Sequence, residues 1–133
     1  MLGRLSMGTI SMTESLETGD IVWVQLNPTR GAEKQKTRPC LVVQKKITAL
    51  DLITVLPITD DNGKKMAPFF VKIADFGQAG LSKKSVIDCY QIRTLSLERV
   101  LKKTGSVDMA ILNQVKSSLA LILEIHSFHI KIF

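Results

Sequence analysis

Aromatic residues make up only 5% of the chain, and cysteine occurs twice, as Cys40 and Cys89. The first scarcity excludes an interleaved aromatic platform of the kind on which bases stack in several common RNA-binding folds. The single tryptophan, Trp23, sits in an apolar run and is assigned to core packing. The second scarcity excludes a disulfide framework. Both cysteines lie in apolar runs without Cys-x-x-Cys or Cys/His spacing, so they read as buried thiols of a protein kept in a reducing cytoplasm. No apolar run approaches the roughly 20 residues that cross a bilayer, and the start, MLGRLSMGTISM, lacks a continuous apolar segment. Neither secretion nor a membrane anchor is expected. A P-loop, G-x-S-x-G, H-E-x-x-H and a carboxylate cluster at metal-binding spacing are also missing, so common phosphoryl-transfer, esterase and zinc-hydrolase readings find no support. No metal or cofactor is expected.

What is present is a basic chain: 18 Lys and Arg against 12 acids, a net charge of +6, over 133 residues. That excess favours polyanionic partners through long-range attraction. The length suits one domain with one core. Residues 1–18 are polar, Ser/Thr-rich and aperiodic, with Met12 a second candidate start, and read as a flexible arm. Residues 19–125 form the domain, and residues 126–133, HSFHIKIF, form a tail. His126 and His129 in that tail have no supporting ligand nearby and are not read as a metal site.

Within the domain, β-branched and aromatic runs alternate with turn chemistry. Ile21 to Leu26 reads as a strand closed by Asn27-Pro28, and Cys40 to Val43 as a second strand starting behind Pro39. Leu52 to Thr59 is a third, ending at the turn Asp60-Asp61-Asn62-Gly63. Pro68 to Ile73 is a fourth and Lys83 to Gln91 a fifth. Gln91 to Leu95 extends or follows it, and Leu97 to Leu101 forms a short helical turn before Lys102-Lys103-Thr104-Gly105. From Asp108 as N-cap, Met109, Leu112, Val115, Leu119 and Ile122 recur at helical spacing. The fold class is therefore mainly β with a C-terminal helix (α+β), a small bent sheet or open barrel with the helix packed on it.

Between the first two strands, Thr29 to Thr37 carries Arg30, Lys34 and Lys36 around Gly31 and Glu33, a cationic loop that leads into Arg38-Pro39. The proline holds Arg38 extended at a strand mouth. This stretch, with Gly19-Asp20-Ile21-Val22-Trp23-Val24, Asn27-Pro28-Thr29, Gly31, Glu33 and Arg38-Pro39, resembles the amino-terminal signature of the MazF/PemK family. Those are toxins of type II toxin–antitoxin systems that cleave single-stranded RNA. The resemblance implies an SH3-like small barrel of the MazF/CcdB/Kid type and a sequence-specific, ribosome- and metal-independent endoribonuclease, an mRNA interferase that leaves a 2′,3′-cyclic phosphate and a 5′-hydroxyl. It also implies a homodimer and a cognate antitoxin whose acidic, disordered tail occupies the RNA-binding grooves.

Such cleavage needs little from the protein, because the neighbouring 2′-hydroxyl supplies the nucleophile. Arg38 suits charge stabilisation or proton donation, since a planar guanidinium donates in parallel to two phosphoryl oxygens and stays protonated. Thr59 matches the family threonine that closes the third strand and shares the site with the arginine. These two are the candidate catalytic residues. Glu33 is assigned to orienting Arg38, because the surrounding cations disfavour a basic role. Thr29, Arg30, Lys34 and Lys36 are candidate RNA contacts, and Arg93 in Gln91-Ile92-Arg93-Thr94-Leu95 either binds RNA backbone or braces the barrel. Ala32 and Tyr90 stand where some relatives carry a histidine and an acid, which leaves the general base open. Two alternatives remain: a non-catalytic gyrase inhibitor of the same fold, like the CcdB group, and a degenerate member that only binds RNA.

Overall fold

The computed structural model describes residues 16–33, 36–44, 51–63, 65–66 and 68–126. Lys34, residues 1–15 of the arm, and residues 127–133 with His129 lie outside the described residues. The described chain forms strands β1 (Asp20–Gln25), β2 (Thr37–Val42), β3 (Leu52–Asp60), β4 (Phe70–Ile73), β5 (Ser85–Asp88), β6 (Arg93–Ser96) and β7 (Val100–Ser106), then helix α1 (Met109–Ile122). The strands make one antiparallel sheet in the order β4-β5-β3-β2-β1-β7, with β6 added on β3. This is the mainly β architecture with a terminal helix that the sequence predicts.

β3 is the spine, and it changes partners along its length. Its first half pairs with β6, its middle with β2, and Ile58 to Asp60 with β5. The sheet is buried on both faces. Ile21, Leu41, Leu56, Ile58 and Ile87 face one core, closed by Ile111, Leu112 and Val115 of α1. Val22, Val24, Cys40, Val42, Ile53 and Val55 face a second, with Leu95 and Val100. Successive side chains of a strand point to opposite faces, so a sheet covered on both sides needs apolar residues at consecutive positions. That is why Ile21 to Val24 of β1 and Cys40 to Val42 of β2 read as unbroken apolar runs.

Three expectations change. Leu16, placed by sequence in the flexible arm, is buried in the second core. The fifth strand, expected over Lys83 to Gln91, is shorter: β5 spans Ser85–Asp88, a turn follows at Cys89–Tyr90, and of the two readings of Gln91 to Leu95 it is the one that follows β5, with β6 beginning at Arg93. Where the sequence predicts a helical turn over Leu97 to Leu101, only one 3-10 turn forms, over Leu97–Arg99, and strand β7 follows it. β7 pairs with β1 along an edge, with register shifts at Ile21/Val22 and Trp23/Val24. Its sequence, VLKKTGS, buries only Val100, and an edge strand rich in lysine carries little of the periodic signal that marks central strands.

In α1, Asp108 caps the first turn as predicted, its carboxylate accepting from the Ile111 N–H at 2.9 Å. The expected stripe faces the core from Leu112 onward, with Leu119 and Ile122 partly buried against it, and departs only at its start. Ile111, Leu112, Val115 and Ser118 are buried, while Met109 is exposed. No helix among the described residues is long and apolar enough to cross a membrane.

Candidate active site

Cys40 lies opposite Pro57, Leu41 opposite Leu56 and Val42 opposite Val55. Carried past Cys40, the same register would set Arg38 opposite Thr59. There the two strands part. β2 continues along β1, with Arg38 facing Val24, while β3 turns to β5, with Thr59 facing Val86. The divergence opens a cleft of about 510 Å³ lined by Trp23, Pro39 and Ile58 and by both Arg38 and Thr59. Two sequence-distant residues thus share one concavity because a single strand changes partner.

The cleft is strongly cationic. Lys36, Arg38, Lys83 and Lys102 line it against one acid, Asp60, whose carboxylate lies 3.0 Å from the Lys83 ammonium. Lys83 and Lys102 escape a reading by motif, since they come from the β4–β5 connection and from the edge strand β7. Their only sequence signal is the basic excess. Trp23, expected in the core, is half-buried and lines the cleft, flanked across the sheet by Pro39 and Lys102.

Two glycines bring those distant walls together. A Cβ on Gly80 would stand 2.2 Å from the Thr104 carbonyl oxygen, and one on Gly105 would stand 2.2 Å from that of Ala79. The β4–β5 loop therefore lies backbone against backbone on β7, an approach only glycine permits. This contact carries Leu81, Ser82 and Lys83 to the side of Lys102.

The loop before β2 is held at its base rather than along its length. The Leu26 N–H donates to the Lys36 carbonyl at 2.9 Å, and the Lys36 N–H to Asn27 Oδ1 at 3.1 Å. Arg99 donates through Nη1 to the carbonyls of Gln25, at 3.0 Å, and Asn27. No motif singled out Arg99. Farther out, Glu33 accepts from the Arg30 N–H at 2.6 Å, and its own N–H returns to the Arg30 carbonyl at 3.1 Å. Glu33 thus closes the turn that carries Arg30. Gln91 fastens the turn to the β5–β6 connection by donating to the Ala32 carbonyl at 3.3 Å.

Of the residues selected by sequence, Lys36, Arg38 and Thr59 meet in the cleft, whereas Thr29, Arg30, Glu33 and Arg93 are not part of its lining. Arg93 sits on β6 opposite Val55, half-buried, with Nη1 shielded from solvent and without a hydrogen-bond partner among the described residues. Burial pushes the Cys40 thiol up to about 12, with the guanidiniums of Arg93 and then Arg38 pulling the other way. The two arginines stand on β2 and β6, the strands that flank β3 on either side. Gly19-Asp20, at the head of the signature, serves the fold. Gly19 has φ +99 and ties β2 to the entry of α1 through Val42 and Val107, and Asp20 accepts from the Glu17 N–H at 2.8 Å and pairs with Lys103 at 3.4 Å.

His126 is exposed, and no group of three or more His, Cys, Asp or Glu side chains gathers at one point among the described residues.

The fold is thus a bent, two-core sheet with a terminal helix and a cationic cleft at a strand divergence. Residues 17–123 match the model of the PemK-like, MazF-like toxins of type II toxin–antitoxin systems, and the chain belongs to that family. It is 35% identical over 119 residues to Endoribonuclease MazF9 of Mycobacterium tuberculosis, covering 84% of this chain and 99% of the relative. Endoribonuclease PemK of Escherichia coli is 34% identical over 127 residues, covering 91% and 92%. The crystal structure of MazF from Deinococcus radiodurans superposes with a TM-score of 0.71 at 24% identity, covering 83% of this chain and 97% of that one, a likeness of fold. The gyrase-binding alternative is not favoured, since the matching family and these relatives belong to the MazF/PemK endoribonuclease group.

Proposed function

We propose that the protein is a toxin of a type II toxin–antitoxin system, a cytoplasmic, sequence-specific endoribonuclease that cuts single-stranded mRNA in the cleft between β2 and β3. The observation that carries this reading is the convergence of Arg38 and Thr59 on one cationic concavity, from strands whose shared register ends just short of them. The 2′-hydroxyl oxygen attacks the adjacent phosphorus and the bond to the 5′-oxygen breaks, giving a 2′,3′-cyclic phosphate and a 5′-hydroxyl. One proton leaves the 2′-oxygen and one reaches the departing 5′-oxygen. Arg38 donates to the phosphoryl oxygens as charge accumulates, and Thr59 holds one of them through its hydroxyl.

Lys36 neutralises a flanking phosphate. Thr29, Arg30 and Lys34 supply backbone contacts on the loop, whose shape Glu33 maintains, and Arg93 braces the barrel from β6 beside β3. The inhibitor is a cognate antitoxin with an acidic segment disordered when free, a polyanion-like partner for a surface of this charge. The working form is a homodimer.

Incubation with a long unstructured RNA in EDTA, followed by sequencing of the fragment ends, tests the reading. Wild type is expected to cut at a repeated short motif. Arg38→Ala should lose at least about a hundredfold in rate, the order seen when a transition-state donor is removed. Intact RNA with the wild-type protein would overturn the assignment.

A further inference from the structure

Lys83 holds a place the family signature does not assign. It reaches the cleft on a loop fixed to β7 by Gly80 and Gly105, beside Lys102 and across from Arg38. The loop's return is also fixed: the Ser85 hydroxyl donates to the Lys83 carbonyl at 2.9 Å, and the Asp61 N–H to the Lys84 carbonyl at 3.0 Å. Asp60, the cleft's only acid among the described residues, follows Thr59 in β3 and lies 3.0 Å from the Lys83 ammonium. The side chains are 64% and 63% exposed. An ion pair that exposed contributes little to stability, so replacing one anionic oxygen by another costs little.

We propose that Lys83 is a phosphate-binding residue of the cleft and that Asp60 occupies it in the empty protein, standing where a phosphate of the bound RNA will stand. RNA entry exchanges the carboxylate for a phosphodiester one or more nucleotides from the scissile bond. This rests on the reading of the cleft as an RNA site. It gives β3 two adjacent roles, with Thr59 toward the scissile phosphate and Asp60 as a placeholder for its neighbour. The exchange makes the site selective for a polyanion able to engage both walls, because a single phosphate at Arg38 leaves the Asp60–Lys83 pair intact.

The salt dependence of binding counts the cations engaged by a strand, at about 0.7 per phosphate contact for single-stranded nucleic acid. Binding of a labelled, uncleavable 2′-O-methyl oligoribonucleotide to the full chain is measured by anisotropy across a salt series. The proteins compared are wild type, Lys83→Ala, Asp60→Asn, the double variant and Lys72→Ala. Lys72 is the matched control, a 70% exposed lysine 3.9 Å from Asp61 and outside this cleft. Lys83→Ala is expected to lower the slope by about 0.7 with Asp60 in place. Asp60→Asn should tighten binding severalfold, and Lys72→Ala should leave the slope unchanged. A Lys83→Ala slope equal to wild type while Asp60 is present, falling only in the Asp60→Asn background, would overturn the proposal, because Lys83 would then remain with Asp60 in the complex. Equal slope losses for Lys83→Ala and Lys72→Ala would also overturn it. Failure of the nuclease reading appears separately, as RNA left intact by a wild-type protein whose slopes behave as described.

Discussion

Lys36 combines a structural cost with a functional position, since its backbone is left-handed at φ 67 while its side chain lines the cleft. That conformation costs a residue with a Cβ about 1 kcal/mol, and glycine adopts it freely. Lys36→Gly should therefore keep or raise the melting temperature while weakening RNA binding, whereas Lys36→Ala should weaken binding and leave the strain in place. Thermal melts of the two variants, with binding measured in parallel, check the separation; equal stability would remove the strain argument. The cysteines give a pH prediction. Burial pushes Cys40 up to about 12 and Cys89 up to about 11, from an ordinary thiol value of 9.0. The unfolded chain then loses these protons at lower pH than the native one, so they contribute stability that is present below about 9 and lost as pH rises through 11 to 12. Urea midpoints of Cys40→Ala should fall less between pH 8 and the alkaline range than those of wild type. An identical fall would show that the thiol is not protected. At this scale the sequence is informative where chemistry and motif coincide, as at Arg38 and Thr59. It is silent on Arg99, whose bonds to the Gln25 and Asn27 carbonyls depend on β7 lying beside β1.

Among the elements, β7 and the loop it meets decide whether the cleft has a second wall. Gly105 has an ordinary backbone, yet a Cβ there would stand 2.2 Å from the Ala79 carbonyl oxygen and 2.6 Å from its carbon, atoms that cannot move without the loop. Gly105→Ala should destabilise by about 2–3 kcal/mol, as overpacking against a fixed neighbour does. Gly31 has φ +55, and a Cβ there would meet nothing within 4 Å, so Gly31→Ala brings only backbone strain and should cost about 1 kcal/mol. Chemical denaturation of the pair checks the ordering, and equal losses would contradict the close approach. The central strands and α1 are legible in the sequence because their apolar positions recur with the period of their structure. β7 is not, since an edge strand with exposed Leu101, Lys102 and Lys103 has no buried alternation to display. Helical periodicity locates the α1 stripe nearly correctly but starts it at Met109, where the first turn in fact leaves Met109 exposed and buries Ile111.

For the molecule as a whole, the net charge of +6 gains meaning from its distribution. Basic side chains from β2, β7 and two loops meet at the point where β3 exchanges β2 for β5. That convergence is only half legible in the sequence. The signature reports its own wall, Lys36 and Arg38, while Lys83 and Lys102 reach the cleft through contacts between segments far apart in the chain. The cleft supplies charge, a hydroxyl and a shape, and the RNA itself supplies the nucleophile in the proposed reaction. The most direct test is a wild-type cleavage reaction on two oligoribonucleotides that differ by one 2′-deoxynucleotide immediately before the mapped scissile phosphate. Both should bind alike, and the deoxy substrate should not be cut at that bond, while the all-ribo substrate yields a 2′,3′-cyclic phosphate end. Cutting at the deoxy position at a comparable rate would place the nucleophile on water or on the protein and contradict the roles given to Arg38 and Thr59.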